Sequence, residues 1–482
     1  MRRRLLGAAR RALRGPARHA VRGPARRARA RAWLLALVVV AAISFTATAL
    51  GAHGALRSST PAAGARVTSP LERIVLEFTE ALETRFVRVT VRDAGGREVQ
   101  RPQLAFAEDR RTVTVVDPEL AVLRGSVEVR WSIAGADGHP VEGSFRFVVD
   151  APPPVSAEIP AIGPLVSSVD SAHVSPTAEH TSTDRLARPW MVAVRWITYA
   201  ALYGLVGTAG VIWVLLPLAR RRSASLLTER LEQRTHTAYR AFGSVVLVAL
   251  TVRLIIQATL LNASDAASLA ALLTETGWGR GWLAATAGAV LLRWQTVLTQ
   301  NQAPRAAATT TIVALVVGAV GWSAMGHSAA VGATAIATDA AHLLAGGIWA
   351  GSLGWLVTIA LPTTREDPTA RAAILAAFAP VALSAGAVLA LSGATNAWRF
   401  VGSVDALLTT DYGRVLLLKL GVVGAMGAFG FANWRLFGPK AASLEGLRRL
   451  SISAAFELSL ALLVLLITAH LVVTAAPGLG VP

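Results

Sequence analysis

Between His53 and Asp150 apolar and polar positions alternate: Val87, Val89 and Val91 with Arg88, Thr90 and Arg92, then Val127, Val129, Trp131 and Ile133 with Glu128, Arg130 and Ser132. A period of two sets one side of an extended chain against a core and leaves the other in water, so these segments read as half-buried antiparallel strands. Arg73 to Glu80, Arg111 to Val116 and Gly143 to Val149 read as further strands, with turn signals at Ala94-Gly95-Gly96 and Asp137-Gly138. About six strands in about a hundred residues predict a small β-sandwich or barrel over 53–150, large enough to rest on an apolar core.

Beyond Trp190 the alternation gives way to eight apolar stretches, at 191 to 218, 239 to 261, 281 to 299, 309 to 326, 334 to 361, 371 to 395, 412 to 433 and 450 to 475. About 20 such residues cross a bilayer core, so residues 190–476 predict an all-α bundle of eight transmembrane helices with both ends on one side. Arg220, Arg221, Arg222, Arg230 and Arg234, then Arg305, then Arg365 and Arg371, then Arg435, Lys440, Arg448 and Arg449 all fall in loops on one face. The positive-inside rule assigns that face to the cytoplasm, which leaves the β-domain outside the cytoplasmic (inner) membrane. Residues 151–189, which begin Ala-Pro-Pro-Pro and are rich in Pro, Ser, Thr and Ala, read as a flexible linker, and 477–482 as a short tail.

The first 31 residues hold twelve Arg and no acid, and Trp33 to Leu50 is an apolar run ending in small residues. Residues 1–52 therefore read as an export signal, cleaved after Ala52 by preference and after Ala49 as the competitor. An uncleaved anchor is the alternative, and the Arg pairs leave twin-arginine export open. The same block explains most of the formal net charge of +18 and leaves +6 for the rest, so the charge speaks for membrane orientation and against nucleic-acid binding. With 53% hydrophobic and 16% charged residues the whole is a membrane protein. There is no cysteine, which excludes disulfides, zinc fingers, thiolate nucleophiles and iron–sulfur clusters and leaves His, Met, carboxylates and a free amine for any metal site.

In the β-domain the sharpest feature is Asp137-Gly138-His139-Pro140, two candidate ligands at i and i+2. Taken alone it is equally a turn followed by a solvated histidine. If cleavage leaves His53 first, its α-amine and ring nitrogen join Asp137 and His139 in a tetragonal N/O set, the set that suits Cu(II).

His53-Gly54-Ala55-Leu56, Ser59-Thr60-Pro61-Ala62-Ala63-Gly64, Val75-Leu76-Glu77-Phe78-Thr79-Glu80 and Trp131 through Val141 with Gly143-Ser144-Phe145-Arg146-Phe147 resemble the CopC copper resistance family across nearly the whole β-domain. The resemblance implies a Greek-key β-barrel that binds Cu(II) outside the membrane through His53, Asp137 and His139. Some members add a Met-rich Cu(I) loop, but no Met lies between His53 and Asp150, which implies a Cu(II)-only module.

Of the four histidines in the membrane half, three lie in or beside the outer parts of the apolar stretches: His327 at the outer end of the fourth stretch, His342 in the fifth and His470 in the eighth. Polar groups at membrane depth are costly and usually face an interior or a pathway. Asp339 and His342 share a helical face, and Met325 puts a thioether beside His327 across the loop. They read either as a copper entry site or as an interfacial histidine with an Asp339–His342 pair that satisfies itself. His470 reads as a hydrogen-bonded packing residue, His173 and His180 as solvated linker residues, and Lys419, Arg399, Arg414 and Glu457 as buried ion-pair or snorkelling partners. Gly326-His327-Ser328, Asp339-Ala340-Ala341-His342, Gly346 through Gly351, Thr410 through Lys419 and Asn433-Trp434-Arg435 resemble the CopD copper resistance family over about 190 to 476. That resemblance implies a membrane protein moving copper toward the cytoplasm, with His327 and His342 as copper-handling positions and Asp339 and Met325 as weaker ones.

The combined reading is a transporter or metal-binding protein rather than an enzyme: Cu(II) is captured outside and passed to the bundle for import and copper homeostasis. Its partners are copper ions, the bilayer and copper donors outside the membrane. Nucleic acid is not among them, nor is a nucleotide, since G-x-x-x-x-G-K-[ST] is absent. Two rivals stay open: membrane electron transfer of a cupric-reductase kind, with haem held by His327 and His342, and a copper sensor or store without transport. N-terminal sequencing of the protein recovered from membranes is expected to begin at His53; a chain that keeps residues 1–52 removes the amine ligand and with it the three-residue site.

Overall fold

A computed structural model describes residues 56–79, 81–99, 102–135, 140–150, 189–222, 229–298 and 304–472. The export segment, the linker and the tail fall outside the described residues, and so do His53, Asp137, His139, His173 and His180.

Among the described residues the alternating region forms nine strands: β1 (Leu56–Thr60), β2 (Arg66–Val67), β3 (Arg73–Phe78), β4 (Arg88–Asp93), β5 (Glu98–Val99), β6 (Gln103–Phe106), β7 (Thr112–Val116), β8 (Gly125–Ala134) and β9 (Pro140–Val149). They make a sheet ordered β1-β3-β7-β6 facing one ordered β2-β9-β8-β4-β5. The five segments with clear alternation are β3, β4, β7, β8 and β9. The others are short strands, several of them at sheet edges, where too few residues alternate to show a period. The expected inward positions are the buried ones: Val89, Val91, Val127, Val129 and Ile133 meet Ile74, Leu76, Val113 and Val115 from the opposite sheet. Phe78 sets its ring edge-on to Trp131 at 5.2 Å between centroids, a geometry that adds about 0.5–1.5 kcal/mol to the burial of both rings.

In the apolar half the helices are α1 (Pro189–Arg222), α2 (Glu229–Leu260), a short α3 (Ala266–Glu275), α4 (Gly277–Leu298), α5 (Pro304–Ser323), α6 (Ala333–Thr363), α7 (Pro368–Val401), α8 (Asp411–Lys440) and α9 (Leu444–Leu471). Eight of these match the expected stretches, but seven are both long and apolar enough to cross a membrane. The exception is α4, whose Arg280, Arg293 and Gln295 dilute its hydropathy. Its 22 residues still measure about 33 Å at 1.5 Å per residue, and it packs between α2 and α5. Trp196 on α1 donates its indole N–H to the Leu462 carbonyl of α9 at 2.9 Å. That contact sets the start of α1 beside the end of α9, as an even number of crossings requires.

Close approach of backbones holds the middle of the bundle. A Cβ on Gly207 of α1 would overlap the Gly351 backbone of α6, where the helix widens into a π turn over Gly347–Gly351. Small residues are what allow such contact between helices in lipid. Gly207→Val is expected to cost about 1–3 kcal/mol by overpacking and to lower the unfolding temperature in detergent. Gly386→Val, where a Cβ meets nothing within 4 Å, is expected to leave that temperature almost unchanged.

Candidate functional site

The strand ends that carry the candidate copper ligands of the β-domain lie together. Leu56, three residues after His53, pairs with Phe78 at the end of β3. Ala134 pairs with Pro140 where β8 passes to β9, and the connection between them carries Asp137 and His139. Phe78 packs on Trp131, Leu82 bridges to Gly135, and the Glu83 amide donates to the Ala134 carbonyl at 2.9 Å. Both segments are therefore attached at one end of the sandwich.

That end rests on the bundle. Phe86 and Ala134 belong to the same buried apolar cluster as Trp278, Trp322 and Met325. Glu83 Oε1 accepts from the Gly277 amide at 3.3 Å, and Arg85 Nη1 reaches both oxygens of Glu275 at 3.1 Å. The Arg85–Glu275 pair is exposed and worth about 0.2–1 kcal/mol. The docking site is the bend between α3 and α4, at the end of the bundle opposite Arg220 to Arg222. Burial against the bundle pushes the Glu83 carboxyl above its ordinary value, while the Gly277 amide and the charges of Arg110 and Arg280 pull it back.

One turn below the bend, Gly281 packs on Met325, with its Cβ position 3.1 Å from Met325 Cγ. Met325 is fully buried, and its carbonyl accepts from Arg253 Nη2 at 3.1 Å. Arg253 lies over the Trp322 ring at 4.9 Å. His327 is half-buried at the start of the short helix Ser328–Val331. Asp339 lies beside Ser323, Ser328 and Lys419. His342 turns to α7 instead, its Nδ1 3.0 Å from Ser392 Oγ. That hydroxyl donates its proton to the Val388 carbonyl at 2.6 Å, so it accepts from His342 Nδ1–H, and Nε2 carries the free lone pair. A neutral imidazole with Nδ1 held and Nε2 open is the tautomer that suits a metal ligand.

Asp339 and His342 thus share a face but satisfy different partners, and the self-contained Asp339–His342 pair is not formed. Among the described residues no three His, Asp or Glu side chains come close enough to hold one metal ion together. Lys419 has the charge of Asp339 near it, with no ion pair formed between the two side chains among the described residues. Among the same residues Glu457 has no charged partner: it is met by the neutral Asn433 amide, whose Nδ2 donates to Oε2 at 2.7 Å. Sequence reasoning did not single out Arg253 or Ser392, and it met Asn433 only as part of a family motif, with no role of its own. Its place in the middle of the apolar run 239 to 261 is a signal for Arg253, whereas Ser392 and Asn433 gain their meaning only from the helices opposite.

Two family models match the chain: the CopC domain over residues 56–150 and Copper resistance protein D over residues 372–471. Copper transport protein CutJ of Bacillus subtilis (strain 168) is 26% identical over 421 residues, 85% of this chain and 72% of that protein. Copper resistance protein C of Escherichia coli is 29% identical over 118 residues, 23% of this chain and 90% of that protein. The crystal structure of CopC from Methylosinus trichosporium OB3b is 26% identical and covers 21% of this chain and 99% of its own, with a TM-score of 0.20.

Docking has a pH dependence whose sign follows from Glu83. A carboxyl whose value is raised by docking favours the docked state fully below its ordinary value, and that contribution is lost as the pH rises through the docked value. Distance measurements between labels on the sandwich and on α3 are expected to show tighter docking on acidification from neutral pH toward 4.5, the ordinary value of Glu. Glu83→Gln is expected to flatten that response.

Proposed function

Since the chain belongs to the CopC/CopD copper resistance family and is a multi-pass membrane protein, we propose that it captures Cu(II) outside the cytoplasmic membrane and passes copper through its helical bundle toward the cytoplasm. Copper is its cargo, and the protein acts as a transporter rather than an enzyme. Capture falls to His53, through amine and ring, with Asp137 and His139. The onward route begins at the outer end of the bundle near Met325 and His327 and continues to His342 and Asp339.

The single observation that carries this reading is the docking of the sandwich by the end from which both ligand-bearing segments extend. A capture site at that end hands its ion to the neighbouring helices over a short path, and tethering keeps the local concentration high, of ~mM order for short links. The His342 tautomer supports the second step, because its Nε2 is free to bind a soft cation. Docking at the end of the bundle away from the Arg-rich loops supports the orientation, since positive loops face the cytoplasm. The relatives' names, copper transport and copper resistance, agree with the cargo.

Purified protein is expected to show a tetragonal, nitrogen-rich Cu(II) paramagnetic resonance signal that His139→Ala abolishes; an unchanged signal in that variant rejects the capture site. An absorbance spectrum on the same sample separates the electron-transfer rival, which requires a haem band. Handoff is tested by Arg85→Glu, which places like charges across the docking contact. Copper uptake at low copper is expected to slow by about twofold to fivefold, as a pair worth up to about 1 kcal/mol allows, and to recover when Glu275→Arg restores the pair. Uptake that ignores both changes rejects the docked handoff.

A further inference from the structure

Glu457 lies about halfway along α9, and its side chain is buried, with 4% exposure. Its carboxylate sits over Gly430 of α8, where a Cβ would stand 3.1 Å from Oε1, and it takes one hydrogen bond from Asn433 Nδ2 at 2.7 Å. Two further oxygens beside it are buried without a hydrogen-bond partner, Asn433 Oδ1 and Ser453 Oγ. Ser453 is 9% exposed and stands one turn before Glu457 on the same helix face. At Asn433 the helix α8 widens into a π turn over Asn433–Phe437, a distortion found often at working sites. On α8, Met426 lies one turn outward of Gly430 and is buried with Ala454 and Ala461 of α9 and Leu353 of α6.

No cation is paired with Glu457 among the described residues, and the elements packed on α9 explain why. On α8, Lys419 lies beside Asp339 and His342, and Arg435 lies over the Trp434 ring at 5.4 Å. On α1, Arg195 lies near Tyr199, and Tyr199 and Tyr203 lie near each other and near Asp339. On α6 the ionisable groups are Asp339 and His342, both nearer the outer end. On α9 itself Glu445 is held by Arg448 and Arg449 at the other end. A lone carboxylate at membrane depth needs a proton or a cation for company, and the oxygens of Asn433 and Ser453 lead from it toward the inner end, where water can supply and take protons.

We propose that Glu457, with Asn433 and Ser453, is a proton-exchange site that supplies the counter-charge for copper crossing the middle of the bundle. The proposal rests on the transport reading above. At rest the carboxyl keeps its proton. As the copper cation arrives the O–H bond breaks, its electron pair stays on the carboxylate, and the proton passes to water at the inner end by way of Ser453. When copper leaves, the carboxylate takes a proton back from the same water. The site compensates charge and itself drives no uphill transport.

The test is copper uptake into proteoliposomes holding a copper-sensitive dye, with the same pH on both sides so that orientation is immaterial. Wild-type uptake is expected to fall as the pH is lowered. Glu457→Gln, which keeps an acceptor for Asn433 but cannot ionise, is expected to be slower by about tenfold or more, since an uncompensated buried charge is costly, and to lose the Glu457 step of the pH profile. Asn433→Ala removes the amide that holds the ionised form and is expected to raise the pH needed for half-maximal uptake, so the inference remains testable if the Gln variant folds poorly. Glu445→Gln, at the exposed end of α9, is the control expected to match wild type. Uptake by Glu457→Gln with the wild-type rate and profile overturns the proton site alone. Absence of uptake by the wild type overturns the transport reading and this inference with it.

Discussion

Contact between the Glu83 to Phe86 turn of the sandwich and the bend at Glu275 to Gly277 is the constraint on which the working arrangement of this chain depends. A β-domain joined to a bundle by a covalent link alone samples many orientations. Here an apolar patch, a backbone hydrogen bond and an ion pair select one orientation. Each is modest, and the apolar burial of Phe86 and Ala134 is not screened by salt as the exposed ion pair is. The polar members set direction and make the contact responsive to pH.

Inside the bundle the governing cost is that of polar atoms away from water. Where side chains meet that cost locally, they serve the fold: Thr208, Thr276 and Thr364 each return a hydroxyl to a carbonyl of the preceding turn. Groups that meet it across helices tie the bundle together, as Trp196 does to α9 and Tyr239 to the Leu292 carbonyl. A third set spends its hydrogen bonds so that one atom stays available. His342 uses Nδ1 on Ser392 and keeps Nε2, and Glu457 takes one amide hydrogen where two carboxylate oxygens have room for more. The third set lies at two depths, one in the outer part of the bundle and one near its middle.

Legibility in the sequence followed period length. Residues in β8 alternate from Ser126 to Ile133, and their burial follows the alternation until Ala134, which is buried next to Ile133. The two-residue strands β2 and β5 have no period to read. Eight apolar stretches were visible as eight helices, yet α4 carries enough polar side chains that hydropathy alone does not count it; its place is secured by packing against α2 and α5. At the candidate sites, residue type could mark Met325, His327, Asp339 and His342 as unusual for a membrane. It could not say that Met325 is buried under Gly281, or that Asp339 and His342 look to different helices.

By itself the sequence determined what each stretch of chain can tolerate: alternation for strands, unbroken apolarity for spans, arginine at one set of loops, and the absence of any thiol. These are local properties, settled by the solvation of a residue and its near neighbours. Tertiary structure alone decided which end of the sandwich meets the bundle, which nitrogen of His342 is left free, and that Glu457 has an amide rather than a cation for a partner. Those outcomes depend on atoms brought together from positions such as 83 and 277, 342 and 392, or 433 and 457. The energy of such meetings comes from desolvating both partners at once, and that can be read only where both are in place.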